Sequence, residues 1–378
     1  MSFSNAGDEQ FLESFRDHLT FVGQPGYFVG VTWQSGLTAS RRVLLAGYAV
    51  GYVIWFWRYG LIIDRISVLI SVAVLLVIAH VGRPWRSWRR LSIDLLLYAA
   101  MWIGYDETRG VADRIGMPLQ VESVRNIDRA LFFGTDPTVW LQAEFYSRSE
   151  VRWYDVLASL VYYSHFVVPI AVIATLWIWK RDEWVRFMKR FATTLAVACS
   201  CFILLPTAPP WMAGGGDRKI RLHALPSLRR PAGRGWTHLG FESFVHAWET
   251  GRDWANPVAA MPSLHAGYSL LITIFFWSKL RTQRVHGRSL GGLAYVLVVY
   301  PLTMGVALVY LAEHYVVDVL AGWALVIGVC WLWSWIEHRH ELVVAPHDTL
   351  VTDDAHGTHD AGDSVTPPVH DVSHVPIH

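Results

Sequence analysis

Apolar side chains run together at 43–57, 66–81, 91–103, 157–179, 191–205, 261–277, 290–312 and 315–336, without the period-2 alternation of a half-buried strand. Stretches approaching 20 residues suit the roughly 30 Å of hydrocarbon in a bilayer. In lipid the backbone must satisfy itself, and a helix does so within one segment. The pattern therefore predicts an all-α fold, a polytopic membrane helical bundle of about eight transmembrane helices. Residues 1–40 read as an N-terminal segment, 41–90 as two accessory helices, 91–336 as a six-helix core and 337–378 as a disordered tail.

Charge refines this picture. Three connections are dense in base: 83–90 with four Arg, 180–190 with five Lys or Arg, and 279–288 with four. Under the positive-inside rule they are cytoplasmic. Both termini are then cytoplasmic as well, and the long segments 109–152 and 207–256 lie on the opposite side. Trp85, Trp88, Trp177, Trp179, Trp331, Trp333 and Trp335 fall at the cytoplasmic helix ends as an aromatic belt. No basic stretch followed by an apolar core and a cleavage site is found in the first 40 residues, so the first helix is expected to direct insertion. Phe11, Leu12, Phe15 and Leu19 recur at helical spacing, as in an amphipathic helix lying along the interface.

Composition excludes other classes. With 53% hydrophobic residues, 20 Trp and only 17% charged residues, the chain does not read as a soluble globular domain. A net charge of +1 and the absence of any recognisable motif argue against a nucleic-acid partner. Cys199, Cys201 and Cys330 all sit in apolar runs and behave as small hydrophobes. Eight of the 17 His lie between His338 and His378, at spacings that match no zinc motif.

Candidate chemistry gathers where polar loops meet two of the apolar runs. Pro262-Ser263-Leu264-His265-Ala266 opens the sixth run, and His314-Tyr315-Val316-Val317-Asp318 lies in the turn before the eighth. An Asp in a membrane helix costs about 2.5 kcal/mol or more at mid-depth, so ionisable groups there point to function. The spacing of four places His314 and Asp318 on one helix face. The carboxylate can then hold one ring nitrogen and leave the other free to attack, as in a prepared nucleophile. His265 has no such backing and is free to exchange protons. The topology puts both histidines on the non-cytoplasmic face.

These stretches resemble two of the three signatures of the type 2 phosphatidic acid phosphatase superfamily. The closer likeness is to the branch of fungal inositol phosphorylceramide synthases and their bacterial relatives, which carries Ser-Leu-His-Ala. Thr207-Ala208-Pro209-Pro210-Trp211, Asn256-Pro257-Val258-Ala259-Ala260-Met261 and Glu313-His314-Tyr315-Val316-Val317-Asp318-Val319-Leu320-Ala321-Gly322-Trp323 extend it. The likeness covers roughly residues 94–335.

The resemblance implies a phosphatase-like six-helix core and a phosphotransfer that needs neither metal nor cofactor. In it His314 attacks phosphorus, Asp318 orients and stabilises its imidazolium, and His265 protonates the departing alcohol. The implied partners are a phospholipid or polyprenyl phosphate donor and an acceptor that is inositol, another small alcohol or water. The implied location is the plasma membrane.

Two departures stand out. The plain phosphatases carry an Arg six residues before the nucleophilic His, where this chain has Leu308, and their Lys-x6-Arg-Pro signature is absent as such. Other bases must surround the phosphoryl oxygens. The candidates are Arg109, in Tyr105-Asp106-Glu107-Thr108-Arg109-Gly110, and the loop cluster around Lys219 and Arg221. Arg109 reads equally as an interfacial Arg paired to Asp106 or Asp113. His165, within Tyr162-Tyr163-Ser164-His165-Phe166, reads either as a substrate ligand or as a helix-packing residue, and Asp94 as a structural pairing residue.

Three alternatives remain. Water as acceptor makes the protein a lipid or polyprenyl phosphate phosphatase. A proton-coupled secondary transporter is a second, disfavoured because the ionisable groups gather near one surface and the halves of the chain do not match. A metal-dependent hydrolase is a third, for which two His and one Asp make a poor site.

Overall fold

The computed structural model describes residues 25–59, 65–216, 228–252, 256–282, 284–285, 288–289 and 291–344. Its helices, in chain order, are α1 (Pro25–Tyr59), α2 (Arg65–His80), α3 (Trp85–Ile115), α4 (Glu122–Leu131), α5 (Pro137–Phe145), α6 (Trp153–Trp179) and α7 (Arg181–Leu204). After a π-turn at Met212–Gly216 come α8 (Arg234–His238), α9 (Glu242–Arg252), α10 (Leu264–Thr282), α11 (Gly291–Tyr310) and α12 (Val316–Val344). A two-residue antiparallel ladder, β1 (Arg284–Val285) with β2 (Arg288–Ser289), lies between α10 and α11.

The apolar stretches correspond to α1, α2, α3, α6, α7, α10, α11 and α12. Several helices run further than hydropathy predicts, and three of them do so at basic ends. Helix α3 takes in Arg86, Arg89 and Arg90, α7 starts at Arg181, and α10 runs through Arg281. Lys and Arg are good helix formers, so the coil continues into water where hydropathy has already stopped counting it. For the same reason α12 passes Ile336 and reaches Val344. The short α4, α5, α8 and α9 were not expected, because a search for long apolar runs does not see short polar helices. The amphipathic stretch at 8–19 and the His-bearing residues 345–378 lie outside the described residues.

Among the described residues, three helices are long and apolar enough to cross a membrane by length and composition: Trp153–Trp177 in α6, Arg181–Leu204 in α7 and Val316–Arg339 in α12. Helix α11 adds the shorter apolar run Ala294–Tyr310. Val167, Ile170, Val296, Val299, Val306, Ile327 and Trp331 stand exposed on these helices, which suits lipid and not water. The protein is an all-α membrane helical bundle. Up to Trp333 it is one compact unit; a second, from Ser334, holds the end of α12, where Arg339 lies over the Trp335 ring.

Within the first unit α10 packs on α6, α7 and α11, α6 also packs on α7, α8 and α11, and α3 packs on α7. Asp94 on α3 accepts hydrogen bonds from Arg181 at 2.6 and 2.8 Å and from Trp177 Nε1 at 2.9 Å, so it is a pairing residue. At the loop-rich end, where α3, α7 and α11 finish, three extended segments are laced side by side. Gln120 N–H donates to Pro206 and Ala208 N–H to Gln120, at 2.7 and 3.0 Å. Thr207 N–H donates to Val258 at 2.8 Å, and Trp211 N–H reaches the Ala312 carbonyl at 3.0 Å. This lacing fixes the starts of α4 and α10 against the end of α7.

The starts of α10 and α12 are joined directly. Ser263 N–H donates to the Asp318 carbonyl at 2.9 Å. One turn further along α12, Gly322 lies against the Ser263 backbone so closely that an added Cβ would fall on the Ser263 carbonyl oxygen. Small residues allow helices in lipid to approach this closely. We expect Gly322→Ala to push the two helix starts apart, at a cost of about 1–3 kcal/mol, seen as a lower unfolding temperature of the purified protein in detergent.

Candidate active site

The loop-rich end positions the functional side chains from the backbone upward. Helix α11 ends at Tyr310, and Ala312 takes a left-handed φ of 60°. The Leu308 carbonyl accepts the N–H groups of Glu313 and His314 at 3.0 and 3.3 Å. The chain thus reverses tightly into α12, with His314 in the turn and buried at 5% exposure. Leu308 itself is fully buried among Ala307, Val309 and Leu311.

His314 and Asp318 face each other across one helical turn, with Nδ1 3.5 Å from Oδ2. Asp318 Oδ2 also accepts the Tyr315 N–H at 2.9 Å, which holds the carboxylate in place. The other ring nitrogen, His314 Nε2, points to His265 Nδ1 at 3.4 Å. His265 is brought there because Ser263 is tied to Asp318, and because the Ser263 side chain accepts the Ala266 N–H at 3.3 Å at the start of α10. Its ring stacks on Tyr162, with centroids 5.1 Å apart and planes 13° apart, and lies 4.0 Å from the His165 ring centroid. Rings from three parts of the chain, Tyr162 and His165, His265, and His314, thus gather beside the Asp318 carboxylate.

A cation stands beside these rings. Arg230 forms a fork-to-fork pair with Glu313, Nε to Oε1 at 2.6 Å and Nη2 to Oε2 at 2.7 Å, and lies 4.3 Å over the Trp211 ring. Burial works against the charge, but the adjacent Glu313 carboxylate raises the pKa above the ordinary guanidinium value. Its remaining nitrogen, Nη1, is buried without a hydrogen-bond partner. Gln142 on α5 positions the segment: its amide donates to the Arg229 and Tyr310 carbonyls at 2.9 Å each and accepts the Arg229 N–H at 3.0 Å. His265 Nε2 and His165 Nδ1 are also buried without partners. Three polar atoms near one another are therefore left open, which suits a ligand that carries acceptors. Among the described residues, no group of three or more His, Cys, Asp or Glu side chains is placed to hold a metal ion.

Residues 122–332, more than half of the chain, match the PAP2 superfamily. The chain belongs to that family. It is also similar to a phosphoinositol dihydroceramide synthase of Bacteroides thetaiotaomicron, with 28% identity over 285 residues that cover 73% of this chain and 84% of the relative. No solved structure is significantly similar to it. His165, His265, His314, Asp318 and Arg230 all fall within the matched span. Together, family and apolar helices make this an integral membrane protein of lipid phosphoryl-transfer enzymes.

The structure brings four of the residues singled out in the sequence, His165, His265, His314 and Asp318, into one cluster. Arg109 lies on α3, outside the span matched by the PAP2 superfamily, and its side chain is outside the described residues, as are Lys219 and Arg221. Among the described residues, Arg230 is a base whose charge acts on His265, and it was not among the bases singled out from the sequence. A signal was available. Arg230-Pro231 is the same dipeptide that ends Lys-x6-Arg-Pro, although His223 stands seven residues before Arg230 and the signature as such is absent. Gln142 gave no comparable sign, and Glu313, though part of a stretch that carries the resemblance, gave none of its pairing with Arg230, because only folding places them on the Arg segment. Replacing Glu313 by Ala leaves a buried cation unpaired, and we expect a loss of about 3 kcal/mol, measured by thermal unfolding of the detergent-solubilised protein.

Proposed function

We propose that the protein is a membrane lipid phosphotransferase that moves a phosphoryl or inositol-phosphate group from a phospholipid to an alcohol through a phosphohistidine on His314. The observation that carries this reading is the contact of His314 Nδ1 with the Asp318 carboxylate, which leaves Nε2 directed at His265. An imidazole whose Nδ1 faces a carboxylate favours the tautomer with its proton on Nδ1 and its lone pair on Nε2, and gains stability as it becomes positively charged.

In the first half-reaction Nε2 attacks phosphorus. The bond from phosphorus to the leaving alkoxide oxygen breaks, and His265 delivers its proton to that oxygen. In the second half-reaction neutral His265 takes the proton of the acceptor hydroxyl while its oxygen attacks phosphorus. The N–P bond breaks and both histidines return to their starting states. Arg230 supplies Nη1 to the equatorial phosphoryl oxygens, the task for which Leu308 is unsuited; Arg109, Lys219 and Arg221 are further bases assigned to this role. His165, whose ring lies against His265, donates from Nδ1–H to a substrate oxygen. The site opens on the non-cytoplasmic face, with both termini cytoplasmic, a reading supported by the basic helix ends.

Phosphoinositol as the transferred group is supported by the name of the Bacteroides relative. The transporter reading loses ground because the clustered ionisable groups occupy one end of the bundle.

The test is product analysis with purified protein, mixed phospholipids, and either myo-inositol, dihydroceramide or water alone as acceptor. A new acceptor-dependent phospholipid is expected, along with an acid-labile phosphate label on His314. In His314→Ala the label disappears and turnover falls on the order of 10³-fold or more. Release of phosphate that needs no added alcohol makes water the acceptor and the protein a phosphatase. Full turnover in His314→Ala rejects the mechanism.

A further inference from the structure

Helix α4 contributes nothing to the phosphotransfer described above, yet one of its side chains reaches the catalytic turn. Asp128 is 1% exposed. Its carboxylate accepts two backbone N–H groups at the start of α12, Val316 on Oδ2 and Val317 on Oδ1, both at 2.8 Å. These belong to the N-terminal amides that a helix cannot satisfy within itself. Negative charge is favoured there by the helix dipole as well. The cap therefore comes from a residue 188 positions earlier in the chain and not from α12's own first turn, whose carboxylate, Asp318, is engaged by the Tyr315 N–H.

The consequence lies two residues upstream of Val316. His314 stands between two anchors: the Leu308 carbonyl, which holds the chain as it leaves α11, and Asp128, which holds it as it enters α12. With both in place the turn has little freedom. Releasing the second anchor frees the residues that direct the imidazole toward Asp318 and His265.

We propose that Asp128 is a positioning residue for phosphoryl transfer, fixing the start of α12 and with it the direction of His314 Nε2. The proposal rests on the assignment of His314 as nucleophile.

Asp128 is also placed to make that positioning depend on pH. The groups facing it are Asp318 and Tyr315 from the turn and the first turn of α12, and Asp136 at the start of α5; Asp136 is paired at 2.8 Å with Arg125 of α4 itself. Burial pushes the Asp128 carboxyl up to about 6, the two N–H donors pull it down, and Asp318 and Asp136 push it up. A carboxyl raised in the folded state makes protonation favourable to the fold as a whole, so acid does not unfold the protein through this group. What acid removes is local. The protonated carboxyl has one acceptor fewer to offer, so the two-amide cap is weakened as pH falls through about 6.

The experiment uses the full-length protein in phospholipid nanodiscs, wild type and Asp128→Asn. Amide exchange at Val316 and Val317, corrected for intrinsic chemistry, is followed from about pH 8 to about pH 5 alongside the unfolding temperature. Turnover is measured over the same range. In wild type, protection of these two amides is expected to fall below about pH 6 while the unfolding temperature does not. Asp128→Asn is expected to lose this protection at every pH, to show a kcat lower by about 10- to 100-fold with KM within about twofold, and to show a shallower acid limb of kcat. Wild-type protection that is flat across the range, or a variant with wild-type kcat and pH profile, overturns the proposal. Should the variant fail to fold, the wild-type exchange profile decides alone. The exchange measurement requires no activity, so it separates the two assignments. A fully active His314→Ala overturns the nucleophile assignment, whereas flat exchange with an inactive His314→Ala overturns the role of Asp128.

Discussion

The site depends on one close approach of two helix starts. Ser263 donates its N–H to the Asp318 carbonyl, and Gly322 leaves no side chain between the two backbones. This contact places His265, two residues after Ser263, beside His314, four residues before Asp318. A bundle in lipid gains little from apolar contact alone, since lipid tails are as apolar as Leu, so a backbone hydrogen bond and a glycine set the register. The laced segments at Gln120, Thr207 and Val258 hold the same arrangement from the side.

Charge burial at this end of the bundle follows a consistent rule. Nearly every buried charged group described here has its partner: Arg230 has Glu313, Arg125 has Asp136, and Asp128 has two helix N–H groups. Among the buried polar atoms without a hydrogen-bond partner, His165 Nδ1, His265 Nε2 and Arg230 Nη1 lie in or beside the histidine layer. A buried polar atom left unpaired costs about 1–3 kcal/mol. Holding several together is tolerable where a ligand satisfies them, and a phosphoryl group brings the acceptors that Nη1 lacks.

Much of the architecture could be read along the chain. The eight long helices were visible as apolar stretches because hydropathy reports burial in lipid directly. Helix ends were less visible, since Arg86, Arg181 and Arg281 remain helical after leaving the apolar span. His265, His314 and Asp318 stood out because an ionisable group beside an apolar run is costly and so conspicuous. Arg230 did not, since an Arg in a basic loop looks like any solvated charge until a Glu and a Trp are found against it. Asp128 left still less trace: its partners are main-chain amides, which carry no side-chain signature.

By itself the sequence determined the class of protein, an all-α membrane bundle, together with the His314–Asp318 pair, since both follow from local spacing and hydropathy. Which groups surround that pair was decided only by the tertiary structure. Arg230, Glu313, Gln142 and Asp128 come from separate loops and helices, and their roles arise from contacts 83 to 188 residues apart in the chain. Local spacing records what one helix turn brings together. It holds no record of what the packing of α4, α5, α10 and α12 brings to the same end of the bundle.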